Sequence, residues 1–88
     1  MSTPLLTQVL ARVEAAPHSA ASLTLYALML TLEREAAGCL FRLTKLRDLD
    51  PEGRRLAYAL MERMACGDLL DDEWRTTMRR IEALIRDG

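Results

Sequence analysis

The segment from Asp48 to Gly53 has the residue types of a calcium-binding loop. Asp48, Asp50 and Glu52 alternate along it, and Gly53 is the sixth residue, as in the first half of an EF-hand loop. Such a loop also needs a bidentate Glu at its twelfth position, which here is Ala59, and its seventh and eighth residues are arginines that would repel the cation. We therefore expect no calcium site and interpret Asp50 as the N-cap of a helix.

A second acidic cluster contains Asp68 and the run 71–73. Carboxylates held close together shift one another's pKa values and can act as acids, bases or metal ligands. No His or Cys accompanies this cluster in the sequence, and acidic residues are favourable in the first turn of a helix. We interpret the cluster as the solvated start of the last helix.

The remaining reactive side chains are the two cysteines and the single histidine. Cys39 and Cys66 have no CxxC spacing and lie in apolar helical patterns, where reduced Cys behaves as a small hydrophobic residue. His18 follows Pro17 in a predicted surface loop. Nothing in the sequence combines a nucleophile, a base and oxyanion donors. We therefore predict a protein that is not an enzyme, with no cofactor, no bound metal and no small-molecule substrate.

Composition limits the partners and the fold. The 88 residues carry 12 basic and 13 acidic side chains, so no overall field attracts nucleic acid or an anionic membrane. The apolar run after residue 15 is too short to cross a membrane, and the start of the chain lacks signal-peptide features, so we predict a cytoplasmic protein. Half of the residues are hydrophobic but only 5% are aromatic, which favours a helical core.

Helix-start and helix-stop signals divide the chain into four helices. The breaks lie at Pro17, at Asp50-Pro51 and at Gly67, between runs with 3.6-residue apolar periodicity. We predict a compact all-α domain over residues 1–88, with a long central second helix, and expect it to be dimeric. The first helix begins with Thr3 as N-cap and Pro4 at its first position. The predicted helices cover about 4–16, 20–47, 51–66 and 72–86.

The apolar stripes of three of these helices predict the core. The predicted buried residues are Leu5, Leu6, Val9, Leu10 and Val13 in the first helix, Leu56, Ala57, Leu60, Met61 and Met64 in the third, and Trp74, Met78, Ile81, Leu84 and Ile85 in the fourth. Tyr26 and Tyr58 are expected at the rim of this core.

The second predicted helix has apolar residues on two sides. One stripe contains Leu25, Leu28, Leu32, Ala36, Cys39, Leu43 and Leu46; the other contains Leu23, Tyr26, Leu30, Ala37 and Phe41; the polar side contains Thr24, Thr31, Glu35, Arg42 and Lys45. A small domain has little surface to cover both stripes. We predict that the second stripe, with Arg34 beside it, binds a protein partner or a second copy of the chain. Alternatively, the first helix covers it within the same chain.

Arginines offer an alternative, nucleic-acid-binding function. Arg75, Arg79 and Arg86 share one face of the fourth helix, and Arg54 and Arg55 begin the third. Glu82 lies within that face and neutralises part of its charge. In a helix-turn-helix reader the start of the second helix meets DNA, and here that start is acidic. The sequence therefore favours a small regulatory or adaptor protein that acts by protein–protein interaction.

Overall fold

Four α-helices and one short 3₁₀ helix make up the described part of the chain. The structure, a computed structural model, describes residues 4–33, 43–67 and 71–87, and these contain no strand. The Cα radius of gyration is 12.0 Å, close to the ~12 Å expected of a compact chain of this length. The elements are α1 (Leu5–Ala15), α2 (Ala20–Glu33), the 3₁₀ helix (Leu43–Asp48), α3 (Pro51–Ala65) and α4 (Asp72–Asp87).

The start of α3 has the predicted cap. Asp50 Oδ1 accepts a hydrogen bond from the backbone N–H of Gly53 at 2.8 Å, and Pro51 occupies the first helical position. The second carboxylate oxygen of Asp50 lies 2.6 Å from an Arg12 guanidinium nitrogen of α1. The Gly53 N–H and then the Arg12 side chain lower the pKa of Asp50. At the other end of α3, Gly67 has a φ of +81°, the left-handed conformation that ends many helices.

The start of α4 is built in the same way. Asp71 Oδ1 accepts from the backbone N–H of Trp74 at 2.8 Å, and Arg63 of α3 donates to Asp71 Oδ2 at 2.8 Å. The Trp74 N–H, followed by the charge of Arg63, lowers the pKa of Asp71. We call each of these two arrangements, Arg12 with Asp50 and Arg63 with Asp71, an arginine-clamped cap. Each ties the first turn of one helix to a different helix.

The core is one cluster of buried side chains from all four α-helices. The predicted faces of α1 and α4 are confirmed at their centres, and α3 buries its predicted Leu56, Ala57 and Leu60. Other predicted residues, including Leu84 and Ile85, pack partly buried against the cluster. The buried hydrophobic residues are Leu6, Val9, Val13, Leu25, Leu28, Met29, Leu49, Leu56, Ala57, Leu60, Trp74, Met78 and Ile81.

The predicted long second helix is not confirmed. α2 is described as 14 residues, Ala20–Glu33, and residues 43–48 form the separate 3₁₀ helix rather than the end of an α-helix. Residues 34–42 lie outside the described residues. Helices α3 and α4, with 15 and 16 residues, are longer than the described α2. At the start of the chain, Pro4 is the N-cap of α1 rather than its first helical residue.

Burial on α2 differs from the predicted pattern. Thr24, expected on the polar side, is only 5% exposed, and Met29, which neither stripe contained, is fully buried. Ser22 is also fully buried, and its hydroxyl donates to the Ala16 carbonyl at 2.6 Å, which satisfies it. The Ser19 hydroxyl accepts from the Ser22 backbone N–H at 3.1 Å and so caps this helix start.

Two predictions at the end of α3 are wrong. Met64 is 44% exposed because it lies in the last turn, beyond the part of the helix that contacts the core. Cys66, predicted to lie within an apolar helical pattern as a small hydrophobic residue, instead follows the last helical residue and is exposed.

Candidate protein-binding surface

The side of α2 that faces away from the core is apolar. We define the outer face of α2 as Ala20, Leu23, Ala27 and Leu30, whose spacing of three, four and three residues places them on one side of a helix. Ala20 is exposed, Leu23 is 43% exposed, and Ala27 and Leu30 are partly exposed. No Asp, Glu, Lys or Arg occurs between residues 20 and 32. A partner can therefore contact this face without removing a charge of α2 from water.

A groove of about 230 Å³ runs between α2 and the 3₁₀ helix. Its α2 side is formed by three residues of the outer face together with Thr24, and its other side by Lys45 and Asp48. The Lys45 ammonium lies 3.8 Å from the Asp48 carboxylate, and both side chains are exposed. The groove thus has an apolar wall and a rim that carries one charge of each sign.

The structure brings together only part of the predicted second stripe. Leu23 lies open to solvent, whereas Tyr26 and Leu30 are partly buried and pack against the core cluster. Arg34, Ala37 and Phe41 lie outside the described residues. Helix α1 packs against α2, α3 and α4, yet leaves Leu23 exposed, so it does not cover that part of the stripe.

Sequence reasoning missed Ala20 and Ala27 as members of this surface. Alanine carries little apolar surface, so it contributes little to an apolar stripe in the sequence. The three-four-three spacing of residues 20, 23, 27 and 30 was the available signal.

The five arginines of the alternative function lie on α3 and α4. Arg55 lies 2.6 Å from Glu52 and donates to Gln8 of α1 at 2.7 Å, and the Arg55 hydrogen bond lowers the pKa of Glu52. Arg75 lies 3.6 Å from Asp72. Among the described residues, the other three have no ion-pair partner and are exposed: Arg54, Arg79 and Arg86. Two of the five charges are therefore already partly neutralised within their own helices.

Tyr58 is the exposed aromatic residue next to these arginines. It is 54% exposed, which corrects its predicted place at the core rim, and it lines a shallow depression of about 380 Å³ with Pro51, Arg54 and Arg55. The depression is on the solvent side of α3, because the opposite side of that helix carries Leu56 and the other buried residues.

The remaining reactive groups do not form a site in the described residues. His18 Nε2 is 2.6 Å from the Ile85 carbonyl oxygen at the end of α4, so the loop before α2 is held against that helix. Within residues 4–33, 43–67 and 71–87, no three or more His, Cys, Asp or Glu side chains are grouped so as to hold a metal ion. None of the described helices is both long and apolar enough to cross a membrane.

Comparison of this chain with models of protein families, with curated proteins and with solved structures found no match. Its function is therefore inferred from the chemistry of its own surfaces.

Proposed function

We propose that this chain is a small cytoplasmic regulatory or adaptor protein, without catalytic activity, that binds another protein through the outer face of α2. The observation that supports the proposal is Leu23, a large apolar residue 43% exposed within a face that carries no charge. Burying the exposed part of Leu23 against a partner would contribute about 1 kcal/mol to the free energy of binding. The groove beside it offers further apolar contact to the same partner.

An α-helix of the partner fits this surface best. Helix-in-groove recognition uses apolar anchors that repeat at three- and four-residue intervals, and the outer face of α2 supplies this repeat. Lys45 and Asp48 at the rim of the groove can orient the partner through charge without crossing the apolar contact.

Nucleic-acid binding is the second candidate, and three exposed arginines without an ion-pair partner in the described part of the chain favour it: Arg54, Arg79 and Arg86. Against it, the same face of α4 carries Asp72 and Glu82, and the chain has a net charge of −1. Phosphate binding needs a positive surface, so this candidate is the weaker of the two.

Affinity capture from the source cell tests the proposal. Tagged wild-type chain, Leu23→Asp and the control Thr76→Asp, which adds the same charge at an exposed position of α4, are compared. We expect wild type and Thr76→Asp to retain the same proteins and Leu23→Asp to lose them, because a carboxylate at this position would have to be desolvated in the complex.

Retention of the same proteins by Leu23→Asp would contradict the proposal. Recovery of nucleic acid that is lost on raising the salt concentration, and lost from Arg79→Glu, would favour the second candidate instead.

A further inference from the structure

We propose that the partner of the outer face of α2 is a second copy of the same chain, whose α2 lies antiparallel to the first. This inference depends on the proposed function, because it names the occupant of the same surface. It follows from the order of small and large residues along the outer face and from the two charges beside it.

The outer face has the spacing of a coiled-coil seam. Residues 20, 23, 27 and 30 repeat at three- and four-residue intervals, the interval that lets side chains of one helix fit between those of another. The seam alternates alanine and leucine: Ala20, Leu23, Ala27, Leu30. The fully buried residues of α2 lie on its opposite side. Within the seam, Ala20 and Leu23 are exposed, while Ala27 and Leu30 are partly exposed, and part of the Leu30 side chain also packs against the core cluster.

Because alanine and leucine alternate, the seam packs evenly against a second copy only when the two helices are antiparallel. In an antiparallel pair centred near residue 25, Leu23 lies opposite Ala27 of the second copy, and Ala20 lies opposite Leu30. Every layer then contains one alanine and one leucine, so the distance between the helices is uniform. In a parallel pair the layers would alternate between two alanines and two leucines, so one helix separation would not suit every layer.

The groove beside the seam carries one charge of each sign, which is what a pairing between two copies of this chain could use. Lys45 and Asp48 are one turn apart in the 3₁₀ helix and line the groove next to residues 20–27. In the proposed dimer, Lys45 of each copy would pair with Asp48 of the other across the twofold axis. An isologous interface requires this kind of self-complementarity, in which a residue and its counterpart exchange roles.

The contact between the two helices is short. An α-helix of 14 residues is about 21 Å long, and a pair of such helices buries an area at the small end of the range for specific complexes. We therefore expect a dimer that dissociates in the micromolar range, with a mass twice the 9.9 kDa of the chain.

Two charge variants and their mixture test both the dimer and its direction. Leu23→Glu and Ala27→Lys each place a charge opposite an apolar residue of the second copy, and we expect each to raise the dissociation constant about 100-fold. When the two variants are mixed in equal amounts, we expect a dimer to form again if the helices are antiparallel. The glutamate introduced by Leu23→Glu in one copy then faces the lysine introduced by Ala27→Lys in the other. In the symmetry-related layer, the native Ala27 of the first copy faces the native Leu23 of the second. In a parallel pair the new charges would not meet.

Sedimentation equilibrium over a micromolar concentration series measures the masses, with Thr76→Glu as a control for added charge and circular dichroism to verify that each variant remains helical. Dimeric wild type, weakened single variants and a restored mixture support the proposal. A monomeric wild type overturns it, and an unrestored mixture overturns the antiparallel arrangement. If the wild type is monomeric but Leu23→Asp still loses captured proteins, the second copy is excluded while the proposed function stands.

Discussion

Replacing Trp74 with phenylalanine tests whether the core contains an unsatisfied hydrogen-bond donor. Trp74 is fully buried, and its indole Nε1 has no hydrogen-bond partner among the described residues. A buried donor without a partner lowers the free energy of unfolding by about 1–3 kcal/mol. Phenylalanine has no such donor, so Trp74→Phe removes this cost. The same substitution empties about 40 Å³ of the core, which costs about 1 kcal/mol at ~24 cal/mol per Å³. It also buries about 40 Å² less apolar surface, which costs about another 1 kcal/mol.

The cavity and the reduced apolar burial together cost about 2 kcal/mol, and removing the unpaired N–H gains about 1–3 kcal/mol. The cost and the gain nearly cancel, so we expect Trp74→Phe to change the free energy of unfolding by no more than about 1 kcal/mol. Trp74→Ala, which also removes the ring, should cost about 3–5 kcal/mol. Urea denaturation followed by circular dichroism measures both, since the chain has a single tryptophan and the variants lack its fluorescence. A loss of more than about 2 kcal/mol for Trp74→Phe would mean that the indole N–H is satisfied in the folded protein, and the reasoning would be refuted.

Two further predictions follow from burial and from the helix caps. Leu60→Ala should lower the free energy of unfolding by about 2–5 kcal/mol because Leu60 is fully buried, whereas Met64→Ala at a 44% exposed position should change it by less than about 0.5 kcal/mol, as measured by urea denaturation. Asp50 and Asp71 have pKa values below the ordinary 3.8 in the folded chain, because each accepts a first-turn backbone N–H and is paired with an arginine. The unfolded chain therefore takes up protons first on acidification, so the contribution of these caps is present above pH 3.8 and is lost as the pH falls through their lower folded values. In thermal melts, the melting temperature should fall less between neutral and acidic pH for Asp50→Asn than for wild type. An equal fall in both proteins would contradict this assignment.

The parts of the fold that local chemistry determines could be predicted from the sequence. The Asp50-Pro51 start of α3 needs only a side chain and a backbone N–H three residues away, so the pattern was sufficient. The stripe of α4 was equally clear, because its polar and apolar residues segregate on opposite sides and only one side can be buried. Gly67 marked the end of α3 through the backbone conformation that glycine adopts easily.

Helix α2 could not be predicted as well, because it is apolar on nearly every side. Periodicity locates a buried face by contrast with a polar one, and here the contrast is weak. Thr24 was placed on the polar side by residue type, yet its position on the helix puts it within the buried arc beside Leu28. The 3₁₀ helix over residues 43–48 was also missed, since an α-helix and a short 3₁₀ helix share the same residue preferences over so few residues.

Two of the four residues of the outer face of α2, Leu23 and Leu30, belong to the second stripe that the sequence predicts. Leu23 was identified as part of an exposed apolar stripe, but the contact of Tyr26 with the core depends on how α2 is rotated against its neighbours, which no local pattern specifies. The clamping arginines were likewise not identified, because Arg12 and Asp50 are 38 positions apart and meet only in the folded chain.

The arginine-clamped caps make the start of each of two helices depend on contact with another helix. Asp50 at the start of α3 can pair with Arg12 only when α1 is docked against α3. Asp71 at the start of α4 can pair with Arg63 only when α3 is folded beside it. Both arginine–carboxylate pairs are partly exposed to solvent, so each adds little stability by itself. Each pair therefore couples two helices weakly: when α1 detaches, the start of α3 loses its contact with Arg12, and when α3 is lost, the start of α4 loses its contact with Arg63. The two contacts follow one another along the chain of packed helices, from α1 to α3 and from α3 to α4.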